Sequence, residues 1–160
     1  MEGSMKKVIS ILILLCLASF TSYAANQLTE QQIKNLTQDF IAAKNARQQP
    51  DSDEEDVEHF LSFIADEFKD EHLKFNVTVT SKEELRAGML AKLEDKIIFS
   101  SIEILEMMIG SNVVFVKFKE HAKGQPAHLD KPIEYSAINI MSLEFTDSGK
   151  IKHIRRHHGL

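Results

Sequence analysis

Three stretches of the chain place apolar residues at helical spacing behind a capping signal. Thr29-Glu30-Gln31-Gln32 reads as a capping box, and Ile33, Leu36, Phe40 and Ala43 follow on one helical face, fading near Gln48 ahead of Pro50. Ser52-Asp53-Glu54-Glu55 reads as a second box, followed by Val57, Phe60, Leu61, Ile64 and Phe68. Ser81-Lys82-Glu83-Glu84 reads as a third and leads into Leu85, Met89 and Leu93. From Ile97 the pattern turns to strands. Residues 100–109 and 113–120, joined by Gly110-Ser111-Asn112, predict a hairpin. Residues 121–130, with Gly124 and Pro126, read as a loop; 133–145 is a long strand and 151–158 the last one. Three helices followed by a meander predict an α+β fold, with the helices packed on one side of a curved antiparallel sheet.

The last hairpin can be registered from its turn. Asp147-Ser148 suits a type I turn and Gly149 the left-handed residue that closes a three-residue loop. Phe145 then faces Ile151, Leu143 faces His153, Met141 faces Arg155 and Asn139 faces His157, on one face with Tyr135 and Ala137. That face is the more apolar and is assigned to the interior. Its polar members are candidate pocket residues: Tyr135, Asn139, His153, Arg155 and His157. Apolar walls with a few convergent polar groups are how ligand sites are built. His157 is the candidate general acid or base and Arg155 the candidate holder of an anionic group. His59, Phe63 and Asp66, at helical spacing, either line the pocket mouth or flank a buried helix face. Asp66 is the expected carboxylate partner of Arg155. His153 and His157 are ~13 Å apart along a strand, too far to share one ion, so no metal is expected. The opposite face alternates Ile138, Ile140 and Ile154 with polar residues, which predicts a homodimer through the sheet.

The N-terminus follows a different pattern. Met5-Lys6-Lys7 precedes an uncharged apolar run over 8–20, and Ser22 and Ala24 are the small residues ahead of a cut before Ala25. The run is short of the ~20 residues that span a bilayer. Residues 1–24 are therefore expected to be a signal peptide and 25–160 a single exported domain, periplasmic or secreted, with no stable membrane insertion once the signal is removed. The single cysteine, Cys16, lies inside the apolar run and follows Leu15 rather than a small lipobox residue, so the mature chain is expected to carry no thiol. A net charge of −5 argues against nucleic acid as a partner. The six carboxylates of residues 51–58 complement a helix N-terminus and lack the glycine and ligand spacing of a calcium loop.

Three short pieces carry a family resemblance. The segment Phe60-Leu61-Ser62-Phe63-Ile64-Ala65-Asp66-Glu67-Phe68 resembles the second-helix segment of SnoaL-like proteins in the NTF2-like superfamily. Residues 81–93 are similar to the family's short third helix, and Phe145 through Gly149-Lys150-Ile151 is similar to its closing hairpin. The resemblance spans residues from Leu28 to the C-terminus and implies a cone-shaped sheet around a cavity closed by helices. The family includes ketosteroid isomerase, polyketide cyclases, limonene-epoxide hydrolase and members with no known catalysis, so it does not fix an activity. Its enzymes place an acidic residue in the pocket. The registered inner face has none on the last two strands, and no family catalytic residue is carried over. The expected function is to bind a small, largely apolar molecule in the cavity, without a cofactor. The alternatives are an acid–base enzyme (isomerase, cyclase or hydrolase) in the same cavity, and a non-catalytic dimeric interaction module.

Overall fold

The computed structural model describes residues 27–159, so the expected signal peptide and its cut site lie outside the described residues. Helix α1 (Glu30–Ala46) starts as the sequence predicts: the Thr29 side chain accepts from the Gln32 amide, and the Gln32 side chain accepts from the Thr29 amide. Ile33, Thr37, Phe40, Ile41 and Lys44 form its buried face. Helix α2 (Glu54–Ser62) is capped by Asp53, one residue later than expected, with Asp56 completing the box. Ser81 caps α3 (Lys82–Ala91), its Oγ accepting from the Glu84 amide.

The second apolar stripe is divided between a helix and a strand. α2 ends at Ser62 and Phe63 is its C-cap; Ile64–His72 is strand β1, followed by the short β2 (Val77–Val79). Ile64 and Phe68 are buried as expected, but from a strand. A spacing of four residues satisfies both a helical face and a strand face, so periodicity alone does not separate them. Strands β3 (Lys96–Gly110), β4 (Val113–Gln125), β5 (Ile133–Phe145) and β6 (Ile151–Arg156) complete the molecule. β4 runs five residues beyond the expected hairpin, because Ala122 and Lys123 continue to pair with both Ser100 and Phe99 on β3 and Tyr135 and Glu134 on β5.

The six strands form one sheet in the order β2-β1-β6-β5-β4-β3. All pairings are antiparallel except β1 with β6, which is parallel, so the sheet is mixed. The fold class is α+β as predicted, with three helices packed against a curved, open sheet. Phe40, Phe60, Val114, Val116, Leu143, Phe145, Ile151 and Ile154 are fully enclosed between the layers. Burying side chains of this size contributes roughly 1.5–3 kcal/mol each.

The hairpin register departs from the expected one at a single residue. Phe145 does face Ile151, but Glu144 then faces His153, Leu143 faces Ile154, Ser142 faces Arg155 and Met141 faces Arg156. Lys152 is an extra residue on β6, a bulge of the kind that leaves one residue unpaired and turns over every side chain beyond it. The cause is visible in burial: Ile151 and Ile154 are 1% and 0% exposed. Two isoleucines three residues apart reach the same interior only if one position is skipped. His153, Arg155 and His157 therefore lie on the outer face, while Arg156 and His158 turn inward.

Candidate functional site

Helix α1, the inner faces of β4 and β5 and the end of β6 enclose a cavity of about 390 Å³. That volume suits a small organic molecule. Leu93, Ile97, Phe118 and Met141 are among its apolar wall residues. Most of the other lining residues are charged or polar, to a degree the sequence reading did not anticipate.

Lys44 and Arg47 come from the last turns of α1, where the buried face set by Phe40 and Ala43 continues by three and four residues. Glu120 comes from β4, where Val114, Val116, Phe118 and Glu120 alternate inward. Lys44 Nζ donates to Glu120 Oε1 at 3.0 Å, with both side chains at or below 10% exposure. Gln48 joins the pair, accepting from Lys44 at 3.3 Å and donating to Glu120 at 3.4 Å. Burial pushes the Lys44 ammonium down to about 8, against the pull of Glu120 and with the help of the cations Arg156 and Arg47. Burial raises the Glu120 carboxyl, but Lys44, the Tyr135 hydroxyl and Gln48 outweigh it and leave the group below its ordinary value. Burial, then Glu120, drive the Tyr135 phenol well above its ordinary value, so it stays a hydrogen-bond donor.

A second ion pair closes one end. Arg156 donates to both oxygens of Asp70, at 2.9 and 2.6 Å, and the Asp70 side chain is 2% exposed. This is the bidentate geometry in which guanidinium and carboxylate match best. His72 and His158 stand beside it with ring centroids 6.0 Å apart. Burial, with Arg156 next in effect on His72 and Lys74 on His158, lowers both imidazoles, which favours their neutral forms.

The expected site residues separate into two groups. Tyr135 and Asn139 line the cavity. His153, Arg155 and His157 do not, because the bulge puts them outside. His153 Nε2 lies 2.7 Å from Glu71 Oε2, Arg155 Nε donates to the same oxygen at 2.9 Å, and His157 meets Ser142 Oγ at 3.2 Å and stacks on Phe115. The expected Arg155–Asp66 pair is replaced by Arg155–Glu71. Asp66 is fully exposed on β1 and pairs with Lys82 at 2.9 Å. His59 is exposed on α2, its ring 5.2 Å from Phe63, and Phe63 packs against the core rather than the cavity. Lys44, Arg47, Glu120, Asp70 and Arg156 were missed. The continuation of two regular patterns, the α1 face past Ala43 and the β4 alternation past Phe118, was the signal for the first three.

No family model and no curated protein matches the sequence. Solved structures do match. The epoxide hydrolase/cyclase-like enzyme SalBIII, which functions in pyran ring formation in the polyether salinomycin, is 14% identical with a TM-score of 0.65, covering 82% of this chain and 93% of its own. A candidate SnoaL-like polyketide cyclase from Shewanella putrefaciens CN-32 is 15% identical with a TM-score of 0.62 over 79% of each chain. An LEH-like epoxide hydrolase of M. tuberculosis is 12% identical with a TM-score of 0.60, covering 81% of this chain and 84% of its own. At these identities the likeness concerns architecture. The helices and the curved sheet are those of the SnoaL-like, NTF2-like fold, and this chain has that fold.

Proposed function

We propose that this chain is an exported protein, periplasmic or secreted, that binds a small organic molecule in the cavity between α1 and the sheet. The observation that carries the reading is the cavity itself: about 390 Å³, with an apolar wall and buried polar groups converging from three elements. Solved structures of the same fold described as cyclases and epoxide hydrolases support it, since both names denote chemistry on small molecules. The test is a ligand-observed NMR screen of a fragment panel, repeated on Asn139→Trp, which fills the cavity. Fragments bound by the wild type should lose binding to the variant; an unchanged set of hits overturns the reading.

One observation favours acid–base chemistry as a second reading. Lys44, at about 8, and Glu120 sit within one hydrogen bond of each other and face the cavity, so the pair is able to exchange a proton with a bound molecule near neutral pH. Its substrate would be one whose reaction needs a proton moved, as in isomerisation, cyclisation or hydrolysis. We also propose that two copies pair through the outer sheet face. Met108, Phe115, Ile138 and Ile140 are exposed there, 38–65% each. Ile140→Lys should shift sedimentation from dimer to monomer, and a monomeric wild type overturns this part.

A further inference from the structure

The cavity wall carries one cation more than its own anions hold. Lys44 is matched to Glu120 and Arg156 to Asp70. Lys92 and Asp95, at the rim, offset each other in formal charge. Arg47 is left over: among the described residues no ion pair engages its guanidinium, and its Nε is sealed from solvent without a hydrogen-bond partner. The group is nevertheless held in place. It lies over the Phe60 ring, 4.6 Å from the centroid, and Phe60 is itself 1% exposed. Stacking fixes the guanidinium plane and leaves its edge free to donate. Arg47 is also the C-cap of α1, where the helix carbonyls favour positive charge.

A half-buried, oriented and unmatched guanidinium whose Nε is sealed without a partner is a costly arrangement unless something supplies the missing charge. The two carboxylates whose fields reach Arg47 are Glu120 and Asp70, and both are already engaged. We propose that the ligand is a small organic monoanion whose carboxylate is received by Arg47 and whose apolar body lies along Leu93, Ile97, Phe118 and Met141. A carboxylate matches the planar fork of a guanidinium with two parallel hydrogen bonds. A dianion such as a phosphate monoester would bring one charge more than the wall leaves unmatched. Lys44 and Arg156 then act as a positive background, their own pairs intact. This inference rests on the cavity being a ligand site and adds the ligand's charge and its anchor.

The test compares naphthalene-2-carboxylate with its neutral isostere naphthalene-2-carboxamide by titration calorimetry. The wild type should bind the carboxylate about tenfold or more tightly than the amide, the scale of one charge-assisted contact. Arg47→Met should bring the two within about twofold while amide binding and the melting temperature stay near wild type. If Arg47→Met does not fold, Arg47→Lys, which keeps the charge and loses the fork, should retain part of the preference. Equal binding of the two probes by the wild type, or a preference that survives in Arg47→Met, overturns the anion inference and leaves the cavity reading standing. Binding of neither probe overturns both.

Discussion

Asp70 and Glu71 are neighbours on β1, and Arg155 and Arg156 are neighbours on β6, yet the two carboxylate–arginine pairs they make live in different media. Asp70 and Arg156 lie on the inner side of the sheet, with side chains 2% and 19% exposed, and Arg156 lines the cavity. Glu71 and Arg155 point outward, and although Glu71 is shielded, its cations reach water: Arg155 is 46% and Lys69 48% exposed. The inner pair is bidentate, held by two hydrogen bonds, with His72 Nε2 4.0 Å from Asp70 Oδ1. The outer one is a hub, with Lys69, His153 and Arg155 all on one carboxylate. Identical chemistry one residue apart is therefore an obligatory contact on one face and a replaceable one on the other, because water is an alternative partner only outside.

The contrast is broken most directly by removing each acid. Asp70→Ala leaves Arg156 uncompensated in the cavity and should cost about 3–5 kcal/mol in urea unfolding, the range for breaking a buried pair. Glu71→Ala should cost clearly less, since Arg155 and Lys69 fall back on solvent. Equal losses would mean that burial does not separate the two pairs. The Lys44–Glu120 pair sharpens the same point inside the cavity. Lys44→Met alone should destabilise by roughly 3 kcal/mol or more, because Glu120 is left buried and unpaired. The double variant Lys44→Met with Glu120→Gln should recover most of that loss. If the double variant is the sum of its singles, the pair is not coupled and the cavity is wetter than its geometry shows.

Two titrations give smaller effects, and both make stability rise with pH, in different ranges. Lys44 holds its proton less well folded, at about 8, than unfolded, at 10.5. Between those values the unfolded chain binds more protons, so Lys44 should make stability rise with pH over that interval. Melting temperatures from pH 8 to 10.5 should show this rise in the wild type and lose it in Lys44→Met. Glu71 acts in the same direction in the acid range. Lys69, then His153 and Arg155, hold its carboxyl down to about 2 from 4.5. Its contribution is present above pH 4.5 and is lost as the pH falls towards 2. Glu71→Gln should flatten that part of the acid unfolding curve, and an unaltered acid limb would remove Glu71 from the account.

What could be read from the linear chain depended on how many geometries fit each pattern. The Thr29 and Ser81 caps and the bounds of the 133–145 strand fit one local structure only and were legible. Ile64 and Phe68 fit two, and the choice of strand follows from β6, which offers Ile151 as a parallel partner nearly 90 residues away. The candidate site suffered more than the fold. Tyr135 and Asn139 were found because β5 alternates without interruption, whereas His153, Arg155 and His157 were placed on the wrong face by one skipped residue. Asp66 was chosen for its position in a helix that ends before reaching it.

By itself, then, the sequence determined the local order: three capped helices, long strands, a glycine-closed final turn at positive φ, and the class of fold they build. Each of these rests on interactions within a few residues, where cap, turn and periodicity act directly on the backbone. Only the tertiary structure decided which charges face the cavity. The bulge at Lys152 exists because Ile151 and Ile154 both have to be buried against helices and strands distant in the chain. Through that one adjustment it delivers Arg156 rather than Arg155 to the interior, beside Lys44, Arg47 and Glu120. No local pattern encodes that outcome, since a single skipped residue costs little in the strand and inverts the chemistry of both its faces.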